Sequence, residues 1–182
     1  GGPTGDVEGE EMTGNYPGFA GGDRTDLRLP APQRTLLEAL HGTGKPVVMV
    51  LTGGSAIAVD WAQAHLPAIL MSWYPGQRGG TAVGQALFGD VNPSGRLPVT
   101  FYKAGEALPA FDDYAMEGRT YRYFRGTPLY PFGHGLSYTR FEYADLQVQV
   151  HGSEVVASVE IRNAGERAGA DVAQMYLKLP SG

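Results

Sequence analysis

Val47-Val48-Met49-Val50-Leu51 and Ala68-Ile69-Leu70-Met71-Ser72-Trp73 decide the fold. Both are short apolar runs without polar alternation. The first is closed by Thr52-Gly53-Gly54-Ser55 and the second by Tyr74-Pro75-Gly76-Gln77. Continuous runs of this kind read as strands covered on both faces, as in parallel sheets. Between them, Val59 to His65 reads as a short helix. After them, Gly79-Gly80 leads into a small-residue helix, Thr81 to Phe88, stopped by Gly89. Strand, helix, strand, helix in this order predicts right-handed crossovers and a mostly parallel sheet sandwiched by helices, an α/β fold.

Working outward, Pro32 suits the first turn of a helix on which Leu36, Leu37 and Leu40 share a face and Gly42 marks the end. Leu97 to Tyr102 reads as a further strand after the turn residues Asn92-Pro93-Ser94-Gly95. Thr52-Gly53-Gly54-Ser55 lacks the lysine of a phosphate loop and the spacing of a dinucleotide fingerprint, so it reads as a tight strand-to-helix turn.

From Lys103 to Thr139 no periodicity is visible. Tyr114, Tyr121, Tyr123, Phe124, Tyr130, Phe132 and Tyr138 interleave with Arg119, Arg122 and Arg125. Such a long irregular stretch is usually functional or wraps another surface. Stacking of bases is disfavoured by Asp112, Asp113 and Glu117 among the arginines, which leaves stacking on sugar rings or packing against a neighbouring domain.

After Phe141 the period becomes two: Leu146, Val148, Val150, then Val155, Ala157, Val159, Ile161, with a third run from Val172 to Leu177. These read as half-buried antiparallel strands. A sandwich needs about seven, so this second module reads as truncated. The domains are set at 1–138 and 139–182. Unpaired strand edges make the second segment an aggregation hazard alone, and ending the chain near Tyr138 is expected to improve solubility.

The chain has 182 residues, with 42% hydrophobic and 18% charged residues, which suits a packed core rather than disorder. A net charge of -5 gives no basic footprint for nucleic acid. Without cysteine there is no disulfide, thiol nucleophile or Cys-ligated zinc. No metal or other cofactor is expected. No apolar run approaches the roughly 18 residues of a membrane helix, so no membrane association is expected. The start at Gly1, without Met or a leader, suggests a fragment or processed chain.

The N-terminal stretch Asp6-Val7-Glu8-Gly9-Glu10-Glu11 places four carboxylates in six residues. Taken alone it reads as a solvated terminus. Crowding or burial would instead raise a carboxyl pKa, as a general acid requires.

Several segments together resemble the C-terminal half of glycoside hydrolase family 3, the family of β-glucosidases and β-xylosidases. They are Gly22-Asp23-Arg24, Trp73-Tyr74-Pro75-Gly76 with Gly79-Gly80, Leu87 to Pro98, Gly118 to Phe124, and Tyr130-Pro131-Phe132-Gly133-His134-Gly135-Leu136-Ser137-Tyr138. The resemblance implies a preceding barrel domain with the nucleophilic aspartate, this α/β sandwich domain with an acid/base glutamate on a loop, and the start of a fibronectin type III-like module. It implies an exo-acting retaining β-glycosidase that removes terminal β-D-glucosyl or β-D-xylosyl residues from an oligosaccharide substrate. The acid/base falls on Glu8, before Gly9, with Glu10 as the alternative. Asp23 and Arg24 are expected to pin the base of the loop, and His134 to be a packing residue at a turn. The chain alone is expected to be inactive, and the enzyme periplasmic or secreted, with the cytoplasm as the alternative. A second reading is a non-catalytic carbohydrate-binding or scaffolding module; the acidic cluster favours the enzyme. Sugar, linkage and oligomeric state are not legible.

Overall fold

The computed structural model describes residues 17–20, 23–106, 109–110 and 112–178. They fall into two compact units. The first holds the described residues up to Val83 together with Leu97–Phe132. The second holds Gly84–Arg96 and the described residues from Gly133 onward.

In the first unit, β1 (Phe19–Ala20) and β2 (Asp23–Arg24) precede α1 (Ala31–His41), β3 (Val48–Leu51), α2 (Asp60–His65) and β4 (Ala68–Met71). α1 begins after Pro30, carries proline in its first turn, and ends where the Gly42 N–H returns to the Glu38 carbonyl at 2.9 Å. β3 and β4 pair in parallel, Val48 opposite Ala68 through to Leu51 opposite Met71, with α2 as the crossover between them. The expected parallel α/β unit is therefore present. α3 (Gly79–Phe88) opens beside Pro75, and a side chain at Gly79 would overlap the Pro75 ring.

The core is Met49, Leu51, Ile57, Val59, Ala62 and Leu66, all buried, with Leu37, Trp61, Ile69, Leu129 and Tyr130 packed against it. Burial of both faces of β3 is not found. Met49 and Leu51 face the core, whereas Val48 and Val50 are 46% and 40% exposed. Side chains alternate along a strand, and among the described residues the core lies only on the Met49–Leu51 side.

The strand expected over Leu97 to Tyr102 reduces to one antiparallel bridge, Phe101 with Tyr130. Pro98 has no N–H to give a ladder. Phe101 is nonetheless almost fully buried, with its ring against Trp73 and Tyr130. The irregular stretch that follows holds one turn of helix, α4 (Thr120–Tyr123).

In the second unit, β5 (Phe141–His151) and β6 (Glu154–Asn163) form an antiparallel hairpin with a register shift between Ala144 and Gln147. The half-buried pattern expected here is absent. Val148, Val150, Val155 and Val159 are all exposed, because no second sheet among the described residues packs on this ribbon. The run Val172 to Leu177 joins no ladder either. Side-chain bonds tie the segment after β6 to Gly84–Arg96. The Asn92 amide donates to the Ala168 carbonyl at 3.1 Å and accepts from the Ser137 hydroxyl and the Tyr138 N–H. Arg167 bonds the Gly89 carbonyl and lies over the Tyr138 ring. A side chain at Gly135 would overlap the Gly95 carbonyl, which accounts for one glycine of the Tyr130–Tyr138 motif. Ending the chain near Tyr138 would remove these partners, a cost that the expected solubility gain left out.

Candidate functional site

Glu8 and Glu10 lie outside the described residues. Of the chain that carries them, the structure describes the exit. β1 and β2 pair antiparallel, Phe19 with Arg24 and Ala20 with Asp23, and the Thr25 N–H closes the reversal on the Gly18 carbonyl at 2.8 Å. Gly18 has φ +93°, a conformation that other residues rarely adopt.

Arg24 fixes this hairpin to the rest of the first unit. Its guanidinium donates to the Ser55 hydroxyl at 3.1 Å, to the Ala56 carbonyl at 3.2 Å and to the Asp26 carbonyl at 3.0 Å. The planar fork of arginine can reach several acceptors at once, which a lysine cannot reproduce. The Asp23 side chain lies outside the described residues; of the expected Asp23–Arg24 pair, the structure describes the Arg24 contacts. Two residues on, Asp26 pairs with Arg28 through both carboxylate oxygens. Hydrogen bonding from Arg28 holds the Asp26 carboxyl below its usual range, against the opposing effect of partial burial. The chain then makes a parallel bridge, Arg28 with Ala58, and Ala58 donates to the Leu27 carbonyl at 2.8 Å.

These contacts place the exit of the acidic segment beside Ser55, in the turn at the carboxyl end of β3. In open parallel sheets, ligands bind outside the carboxyl ends of the strands. Here those ends are polar and closely joined. The Ser72 hydroxyl donates to the Leu51 carbonyl at 2.8 Å, and the Thr52 and Ser72 hydroxyls stand 3.3 Å apart. Trp73, just beyond β4, has φ +53°, strained for a bulky residue, and its ring meets Phe101 edge-on at 6.2 Å. A cleft of about 260 Å³ opens in the same unit between α1 and β3, lined by Arg24, Arg28, Gln33, Met49, Thr52 and Ile57 among others. Its lining offers hydrogen-bond donors and apolar surface but no carboxylate among the described residues.

The aromatic stretch is partly self-paired. Tyr121 stacks on Phe132 at 4.7 Å and Tyr102 meets Phe124 edge-on at 4.9 Å. The Thr120 N–H donates to the Tyr102 hydroxyl at 2.8 Å, which helps hold Thr120 at φ +58°. Tyr114 is 89% exposed. His134 is half-buried, and burial, assisted by the nearby Arg96 charge, lowers its pKa. Those surroundings suit packing better than proton donation. Among the described residues no group of three or more His, Asp or Glu side chains could hold a metal ion. Sequence reasoning did not single out Ser55, Tyr143 or Asp171 as anchoring residues. Their partners lie 28 to 75 positions away, so no local pattern signals them.

Residues 3–138 match the family model described as the glycosyl hydrolase family 3 C-terminal domain. The chain is 49% identical to a xylan 1,4-beta-xylosidase of Xylanibacter ruminicola, over 94% of this chain and 20% of that protein. It is 42% identical to a periplasmic beta-glucosidase of Salmonella typhimurium, over 85% of this chain and 22% of that protein. Among solved structures, beta-glucosidase 3B from Thermotoga neapolitana in complex with glycerol superimposes with a TM-score of 0.72 at 34% identity, covering 81% of this chain and 23% of that one. The chain thus spans about a fifth of the length of these relatives.

Proposed function

The chain belongs to glycosyl hydrolase family 3, whose C-terminal domain it carries, and from that premise we propose that it forms part of an exo-acting retaining β-glycosidase. The reaction is hydrolysis of terminal β-D-xylosyl or β-D-glucosyl residues from oligosaccharides. The observation that carries this reading is 49% identity over 94% of the chain to a named xylosidase.

In this reading residues 1–138 are the α/β sandwich domain and 139–182 begin a fibronectin type III-like module. A barrel domain of the same enzyme supplies the nucleophilic carboxylate and the floor of the terminal sugar subsite. This chain supplies the acid/base carboxylate, Glu8, with Glu10 as the alternative. Retaining glycosidases hold the two carboxyl groups about 5–5.5 Å apart, one attacking the anomeric carbon while the other protonates the departing oxygen and later deprotonates water. The support from the fold is the Arg24 anchor. It holds the exit of the acidic segment at the carboxyl end of β3, next to a cleft whose described lining has no acid of its own. One relative is named as periplasmic, which supports a periplasmic or secreted enzyme. Among the described residues no helix is long and apolar enough to cross a membrane.

The test is to assay the chain alone, and joined to a family 3 barrel, on aryl β-xyloside and aryl β-glucoside. Turnover is expected only when the barrel is present. Turnover by the chain alone, above that of a Glu8→Gln/Glu10→Gln double variant, would contradict the division of labour.

A further inference from the structure

Away from the site just described, the carboxyl ends of α1 and α2 meet. His41 is the last residue of α1 and His65 the last of α2. The His65 ring stacks on Trp61 at 4.5 Å with 12° between planes. The His41 ring stands edge-on to both, 5.5 Å from Trp61 and 5.6 Å from His65. The His65 Nδ1 lies 2.7 Å from the Trp61 carbonyl oxygen. A carbonyl can only accept, so Nδ1 carries the hydrogen, which leaves Nε2 as the nitrogen that can bind a metal ion. Metal-binding histidines are commonly oriented in this way, by donating the second ring nitrogen to a backbone carbonyl.

We propose that His41 and His65 form a two-imidazole site for a divalent transition-metal ion, one that clasps the ends of α1 and α2. Three independent features converge on it. Two imidazoles sharing one ion at a metal–nitrogen distance of about 2.0–2.1 Å and a tetrahedral angle have ring centres about 5 Å apart, close to the spacing found here. The ends of both helices carry partial negative charge, which favours a cation between them. His65 is exposed and His41 half-buried, so water can complete the coordination. Imidazole donors suit zinc, copper and nickel ions, and not magnesium or calcium. A bound ion links the helix before β3 to the helix after it, and so stiffens the unit that carries the Arg24 anchor.

Trp61 provides the readout. Titrate the full chain, free of any histidine tag, with copper(II) and follow tryptophan fluorescence. Saturable quenching at one ion per chain is expected, displaced by zinc and unaffected by magnesium. Trp61→Phe should remove most of the quenching. His41→Gln and His65→Gln should each weaken binding at least about tenfold, and His151→Gln, on exposed β5, should leave it unchanged. Copper EPR on the unaltered chain counts bound imidazoles without any variant. Two nitrogens from imidazole support the site. None or one, or equal quenching in the His41→Gln/His65→Gln double variant, overturns it.

Discussion

Arg96 and Asp171 form an ion pair whose two side chains are only 13% and 11% exposed, and the Asp171 carboxylate also accepts from the Tyr143 hydroxyl at 2.7 Å. The pair fastens the end of the Asn-Pro-Ser-Gly turn to the chain beyond β6. Removing one partner of a poorly solvated pair leaves the other uncompensated, which costs more than the pair contributes. Asp171→Ala should therefore destabilise the second unit by about 2 kcal/mol or more, measured as a lower denaturant midpoint. Tyr143→Phe, which removes a single hydroxyl, should cost about 1 kcal/mol.

The same triad predicts a pH window. The Tyr143 hydrogen bond, with help from the Val172 N–H and Arg96, lowers the Asp171 pKa in the folded state. Its contribution is present above the usual aspartate value and fades as pH falls through the lowered one. Bonding to Asp171 raises the Tyr143 pKa above the usual tyrosine value of about 10, so that contribution is complete below that value and fades as pH rises through the raised one. Unfolding midpoints against pH should show both limbs. Asp171→Asn should flatten the acid limb, and an unchanged acid limb would assign it to other carboxylates.

Arg24 ties β2 to the turn that follows β3. Arg24→Lys keeps the charge and loses the fork to Ser55 and Ala56. It should lower stability by about 1–3 kcal/mol. In the barrel-joined enzyme it should reduce kcat more than it raises KM, since a displaced acid harms the reaction more than sugar binding. Ser55→Ala should repeat the effect more weakly. Equal kcat in all three proteins would detach the acidic segment from this anchor.

The parallel pair β3 and β4, the crossover α2 and the end of α1 at Gly42 were legible because apolar periodicity and glycine stops are local signals. Burial was not. Val48 and Val50 belong to the same apolar run as Met49 and Leu51, and only the position of the core separates the two faces. The strand expected at Leu97 failed because Pro98 has no hydrogen to give and Tyr130, Phe101's bridging partner, lies 29 residues later. The exposed hairpin β5–β6 reads as half-buried because alternation records a face suited to burial, whether or not anything covers it. At the candidate site, Arg24 was legible as a pin, while its acceptor Ser55, 31 residues away, was not. Glu8 and Glu10 rest on the Glu-Gly pattern and on the family resemblance.

The role of Glu8 is tested most directly by azide rescue in the barrel-joined enzyme. A general acid matters most for poor leaving groups, and the same residue is needed as base for every substrate. Glu8→Gln should cut turnover of xylobiose or cellobiose roughly 100- to 10,000-fold. Activated aryl glycosides should react in a burst and stall as the glycosyl-enzyme. Azide needs no base, so it should release that intermediate as the β-glycosyl azide, while Glu10→Gln shows neither burst nor rescue. Rescue of Glu10→Gln alone would move the role two residues along the loop, and rescue of neither variant would contradict the claim that this segment carries the acid/base.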